Sequence, residues 1–270
     1  MRLNTASGKR VGFAGVASQV RPTRRASRER KELLGAYVDC RHCSLFTLCL
    51  PAAVDQAELG MLERVIKHRR LLERGEDLFR QGERFRYVYA IKSGSLKTYT
   101  AANQKTVQVT GFHLPGELLA LDAVGAGAYL YSARALQTAS VCEFPFDRLE
   151  ELGALARGIQ RQLLRIMGGQ IQHELSMHML HCKTDAPARV ATFLVNLSMR
   201  LAERGLSRAQ FRLSMSREDI GNYLGLAKET VIRVLAEFEH RRLISVSGKS
   251  LRIHDVYRLE SLAGLHAAIT

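Results

Sequence analysis

Ser216-Arg217-Glu218-Asp219-Ile220-Gly221-Asn222-Tyr223-Leu224-Gly225-Leu226-Ala227-Lys228-Glu229-Thr230-Val231-Ile232-Arg233 is the stretch whose reading decides the architecture of this 270-residue chain. Ser216 can cap a helix, with Asp219 placed three positions on to complete a capping box. Ile220, Tyr223 and Leu224 give that helix its apolar face. Gly225 stands where a tight turn between helices needs a residue tolerant of positive φ. A second helix begins near Ala227 and runs to His240. Its buried face is Val231, Val234, Leu235 and Phe238, while Lys228, Glu229, Ile232 and Arg233 lie on the other side. Two helices joined this way form a helix-turn-helix, whose second helix can enter the major groove of DNA by its N-terminal end. Further on, Leu243–Val246, the turn Ser247-Gly248-Lys249-Ser250, and Leu251–Ile253 read as a two-stranded wing, with Lys249 at its tip able to approach phosphate.

The side chains suit a groove. An Arg can donate two hydrogen bonds to guanine O6 and N7, worth roughly 1–3 kcal/mol of discrimination. A Glu can accept from cytosine N4 and orient the Arg beside it. Lys228, Glu229, Thr230, Ile232, Arg233 and Lys249 are therefore the candidate DNA contacts. The net charge of +14 and pI near 10 favour the same partner, because neutralised phosphates release condensed counterions. About half of that excess sits in residues 1–35, where nine Lys or Arg face two acids. That stretch reads as a disordered basic tail.

Upstream of the helix-turn-helix the pattern changes twice. From Leu155 to about Cys182 it is helical and free of proline. Leu164, Met167, Ile171, Glu174 and His178 advance by 3, 4, 3 and 4, which sets them on one stripe and predicts a coiled-coil contact between two copies. From about 55 to 150 the chain reads as short strands: Tyr87–Lys92, Ser95–Thr100, Val107–Phe112 and Ser140–Phe146. Gly75, Gly82, Gly94, Gly111 and Gly116 punctuate them, as in a small antiparallel roll or barrel. The expected organisation is α+β: a tail over 1–35, a cysteine loop and roll over 36–154, a dimerisation helix over 155–184, and a winged helix-turn-helix over 185–270.

No run of 18 apolar residues exists to span a membrane. The stretch from Val11 to Val20 is too broken by Gly12, Gly15, Ser18 and Gln19 for a signal peptide. A cytoplasmic location is expected, where thiols stay reduced and five cysteines call for a metal or redox explanation. Cys40-x-x-Cys43-x-x-x-x-x-Cys49 places three thiols within ten residues, a metal signal that still needs a fourth ligand. Iron–sulfur and zinc sites both accept thiolates. His42 is a poor ligand, since chelation through adjacent residues would strain the loop. His178, His181 and Cys182 can imitate a metal site, but packing and a solvated edge explain them. No nucleotide fingerprint or nucleophile–base pair points to an enzyme.

The stretch Arg217–Leu226, followed by Glu229-Thr230-x-x-Arg233, resembles the CRP–FNR regulators, most closely their FNR branch, and the resemblance extends back to about Tyr37. It implies a β-roll sensor domain of the cyclic-nucleotide-binding type, a long dimerisation helix and a winged helix-turn-helix. It implies that Cys142 joins Cys40, Cys43 and Cys49 in holding a [4Fe–4S] cluster. It also implies a regulator, mainly an activator, of low-oxygen gene expression that binds palindromic double-stranded DNA, contacts RNA polymerase, and is a homodimer while the cluster is intact. Glu174 on the seam sets two symmetry-related carboxylates against each other. Glu229 and Arg233 match the family's pattern and predict a guanine-containing half-site. Ile232 departs from it, standing where FNR proteins usually carry serine, and Lys228 stands where CRP has a basic residue. Gly116-Glu117-Leu118 resembles the start of a cyclic-nucleotide cassette. Its later Arg is replaced by Tyr131 in Tyr131-Ser132-Ala133, with Arg134 expected to face elsewhere, so no cyclic nucleotide is expected. A zinc-stabilised or haem-type sensor, and an iron–sulfur electron carrier, are the alternatives.

Overall fold

A computed structural model describes residues 39–66, 69–103, 106–183 and 185–264. The basic tail lies outside it, as do the side chains of His178, His181 and Cys182. After two short 3-10 turns, Phe46–Leu48 and Leu50–Ala53, comes helix α1 (Gln56–Val65). Eight strands follow: β1 (Arg69–Leu72), β2 (Asp77–Phe79), β3 (Tyr87–Ser93), β4 (Leu96–Asn103), β5 (Thr106–His113), β6 (Leu118–Leu119), β7 (Ser132–Ala135) and β8 (Ala139–Pro145). Helices α2 (Phe146–Leu155) and α3 (Arg157–Lys183) close the first half. The second half holds α4 (Ala186–Ala202), β9 (Gln210–Arg212), α5 (Arg217–Leu224), α6 (Lys228–His240), β10 (Ile244–Ser247), β11 (Ser250–Ile253) and α7 (Val256–Leu262).

The eight strands make two antiparallel four-stranded sheets, β1-β8-β3-β6 and β2-β7-β4-β5. Leu72, Val88, Leu96, Leu118, Val141 and Phe144 are buried in one core with α1 and the start of α3. Alternating apolar residues on antiparallel strands bury one face per sheet, which is what makes a roll. Gly94 turns β3 into β4 at φ +81, where a Cβ would stand 2.5 Å from the Thr138 carbonyl oxygen. Only glycine fits there.

Several expectations are corrected. The span from 55 is expected to hold strands, but it opens with α1, signalled by the Asp55–Glu58 capping box and burying Leu59 and Leu62. Phe146 starts α2 instead of ending a strand, and the helical run read from Leu155 is two helices broken at the extended Ala156. Gly111 lies within β5, against Thr98 and His113, and makes no turn. The cysteine loop is partly packed into the domain: its second 3-10 turn buries Leu50 and Pro51. The wing gains a third strand, since β9 pairs with β11. A second core unites α4, α5, α6 and the wing, and it takes in Val109, Phe112, Leu114 and Leu136 from the roll.

Candidate nucleic-acid interface and cysteine pocket

The helix-turn-helix is built as its residues require. Ser216 Oγ accepts the Asp219 N–H at 3.0 Å, and the Asp219 carboxylate accepts the Ser216 N–H at 3.2 Å. Gly225 ends α5 at φ +65. A Cβ on Gly221 would lie 2.7 Å from the Leu226 carbonyl oxygen, so the two helices meet there backbone to backbone. On α6, Val231, Val234, Leu235 and Phe238 are buried. Lys228, Glu229, Ile232 and Arg233 are exposed together on the opposite face, with Thr230 half-buried beside them. A carboxylate, a guanidinium and an ammonium on one open helix face can address base edges and phosphates at once.

Lys249 departs from expectation. Its ammonium is folded back to donate to the Ser214 carbonyl at 3.2 Å. The exposed cations of the wing sheet are instead Arg212 on β9 and Arg252 on β11, the latter donating to Gln210 Oε1 at 2.8 Å. Arg212 escapes sequence reasoning because β9 is only three residues long and signals a strand weakly, whereas Arg252 lies on a strand that the sequence does signal.

Four cysteines border one cavity. Cys142 sits on β8, opposite Arg69 of β1 and Ala90 of β3. Cys40, Cys43, Cys49 and Cys142 all line one small cavity, shared with Leu45, Phe46, Pro51, Ile66, Lys92 and Phe144. Burial pushes the Cys40 and Cys49 thiols up to about 12, and their proximity to Cys142 and Cys43 adds to the rise. Clustered thiols in an apolar cavity resist ionisation unless a positive centre is supplied, so the donor set suits a metal. Among the described residues, no three Cys, His, Asp or Glu side chains converge as a ready-made metal-ion site. The Cys40 N–H is held by Glu63 of α1 at 2.8 Å, while His42 pairs with Asp39 at the surface.

The pocket is joined to the long helix. Gln162 of α3 donates to the Cys49 carbonyl at 3.3 Å, and the Gly158 N–H donates to Glu58 at 2.9 Å. Neither link was legible in the sequence. Beyond them, α3 exposes Leu164, Met167, Ile171 and Glu174 along one face, with Leu175 adjoining. In the cassette region, Tyr131 Oη accepts the Ala120 N–H at 3.1 Å. Arg134 is committed to Asp77 through two bonds of 2.6 and 3.1 Å and lies over the Tyr99 ring.

A double-sheet roll, a long helix with an exposed apolar stripe, and a winged helix-turn-helix with a polar outer face define a DNA-binding transcription regulator. Comparison with known proteins agrees. Residues 69–154 match the cyclic nucleotide-binding domain model and residues 188–262 the Crp-like helix-turn-helix domain model. The transcriptional activator protein Anr of Pseudomonas protegens is 48% identical over 225 residues, 83% of this chain and 92% of that protein. The fumarate and nitrate reduction regulatory protein of Escherichia coli is 40% identical over 230 residues, 85% of this chain and 92% of its own. The solved structure of FixK2 from Bradyrhizobium japonicum superposes with a TM-score of 0.65 at 28% identity, covering 72% of this chain and 96% of that one. The chain belongs to the CRP–FNR family. Among its described residues no helix is long and apolar enough to cross a membrane.

Proposed function

We propose that this regulator is an oxygen-responsive activator of low-oxygen gene expression, in which Cys40, Cys43, Cys49 and Cys142 hold a [4Fe–4S] cluster. One observation carries the reading: thiols from two distant parts of the chain line a single cavity. When bound, the cluster supplies iron for all four thiolates and an inorganic core that oxygen can destroy. The chain's own residues do the rest. The four cysteines tie the 40–49 turns to β8, and Gln162 reports the position of Cys49 to α3. Leu164, Met167 and Ile171, open to solvent in one chain, form the seam of a homodimer. Glu174, exposed further along the same face, opposes its symmetry mate there, so the dimer forms only with the support of the tied loop. His178 continues the stripe.

The dimer sets two recognition helices on the two halves of a palindromic duplex. Arg233 reads guanine, with Glu229 orienting it, Lys228 and Thr230 adjoin the backbone, and Ile232 offers an apolar contact. RNA polymerase is the second partner, and the protein works in the cytoplasm as a regulator, not an enzyme. No cyclic nucleotide is needed: Tyr131 replaces the cassette cation and Arg134 is engaged by Asp77.

Anaerobic purification followed by an absorbance spectrum and iron, sulfide and zinc analysis tests this. Brown protein holding iron and sulfide, which bleaches in air and then loses its duplex, is expected, and Cys142→Ser should abolish the colour. Colourless zinc protein would favour the zinc-stabilised reading. A cluster that survives cycles of oxidation and reduction would favour an electron carrier.

A further inference from the structure

We infer that Glu117 is a positioning residue for DNA reading, holding Arg200 and Arg204 of the DNA-binding domain in a charged joint against the sensor. This goes beyond the proposed cluster and does not depend on it. Glu117 lies in the turn before β6, with 22% of its side chain exposed. Its carboxylate accepts from Arg200 Nε at 3.1 Å, from Arg200 Nη2 at 2.7 Å and from Arg204 Nη2 at 2.6 Å. The two guanidiniums also grip the backbone at the end of β5 and in the turn after it. Arg200 Nη2 donates to the Phe112 carbonyl and Arg204 Nε to the Pro115 carbonyl, both at 2.6 Å. The Arg204 side chain is only 5% exposed, and its other carboxylate neighbour, Glu203, is 3.8 Å away and largely in solvent. One carboxylate therefore neutralises two largely buried cations. Removing it leaves them unpaired in a low-dielectric interface.

A second anchor grips the same strand. Asn222 of α5 donates its amide to the Val107 carbonyl at 2.7 Å and accepts the Val109 N–H, while Lys97 pairs with Asp219. Between the anchors, Phe112, Phe193 and Tyr223 pack edge to face. Strand β5 thus serves both domains, and α6 follows α5 through the Gly225 turn. The joint also meets the dimer helix, because Gln170 of α3 donates to the carbonyl of Leu118, the neighbour of Glu117, at 3.0 Å. A shift of α3 reaches the recognition helix through this turn. The position that opens a ligand cassette in sequence is occupied by an intramolecular partner.

The test uses the full chain, purified anaerobically, and a palindromic duplex selected by the wild-type protein from a randomised half-site pool. Glu117→Gln keeps the shape and removes the charge. Duplex affinity by fluorescence anisotropy should fall about tenfold, within the usual range of coupling between sites, while the dimer fraction in sedimentation stays unchanged. Amide hydrogen exchange should quicken in both 106–118 and 186–204, and remain as in wild type along α6. The Glu117→Arg/Arg200→Glu exchange should recover part of the affinity, and Arg200→Lys, which keeps the charge but loses the fork, should fall between wild type and Glu117→Gln. Affinity within twofold of wild type, unchanged exchange on both sides of the joint, or a loss explained by dissociation of the dimer would each overturn the inference.

Discussion

Replacing Ile171 by alanine tests the dimer seam. In the single chain 59% of Ile171 is open to solvent, on the same face as Leu164 at 63%. Full burial of an isoleucine contributes roughly 1.5–3 kcal/mol, so covering that fraction contributes about 1–2 kcal/mol per side chain. Two-fold symmetry counts each substitution twice, giving about 2–4 kcal/mol for the dimer. That corresponds to roughly a 30- to 700-fold rise in the dimer dissociation constant. Sedimentation equilibrium on anaerobic protein, over a range of concentrations, measures it. Leu155→Ala is the control: this leucine is 79% exposed but ends α2, off the seam, and should leave dissociation unchanged. A change below threefold for Ile171→Ala, or an equal effect of both substitutions, would show that the seam lies elsewhere.

Three further outcomes are expected. Arg233→Ala should lower duplex affinity by about 1–3 kcal/mol, roughly 5- to 150-fold, and relax the preference for guanine, with no change in melting because the side chain is exposed; anisotropy titrations on G- and A-containing half-sites report both. Gly221→Ala should destabilise the DNA-binding domain by about 1–3 kcal/mol through overpacking, since the new methyl meets the Leu226 carbonyl at 2.7 Å, whereas Gly153→Ala within α2 meets nothing within 4 Å and should be neutral to stabilising, by up to about 1 kcal/mol, in urea unfolding. The third concerns acid. Burial works to raise the Glu117 carboxyl, but the charges of Arg200, His113 and Arg204 outweigh it and hold it at about 2, against an ordinary 4.5. Its contribution is complete above about pH 4.5 and is lost as pH falls from there through about 2. Wild-type stability should therefore drop more steeply over that window than that of Glu117→Gln, and parallel curves from denaturation at stepped pH would refute it.

The DNA-reading unit was legible because its determinants are local. Capping at Ser216, the positive φ of Gly225 and the helical spacing of Val231, Val234, Leu235 and Phe238 each act within a few residues. They fix which side of α6 faces outward before any partner is present. The exposed apolar stripe of α3 follows from the same periodicity. Helix α1 was also written locally, in Asp55 and Glu58, but a ten-residue helix beside strands was easily read past.

What the tertiary structure alone decided are the meetings of distant residues. Spacing sets Cys40, Cys43 and Cys49 in one short loop, whereas Cys142 reaches the same cavity through the register of β8 between β1 and β3. Glu117 opens a ligand cassette in sequence, but α4 and the turn after it bring Arg200 and Arg204 to it. Lys249 looked free until Ser214 took its ammonium. Local pattern records which side of an element is apolar. It does not record which element will lie against it, because that is set by packing over the whole chain.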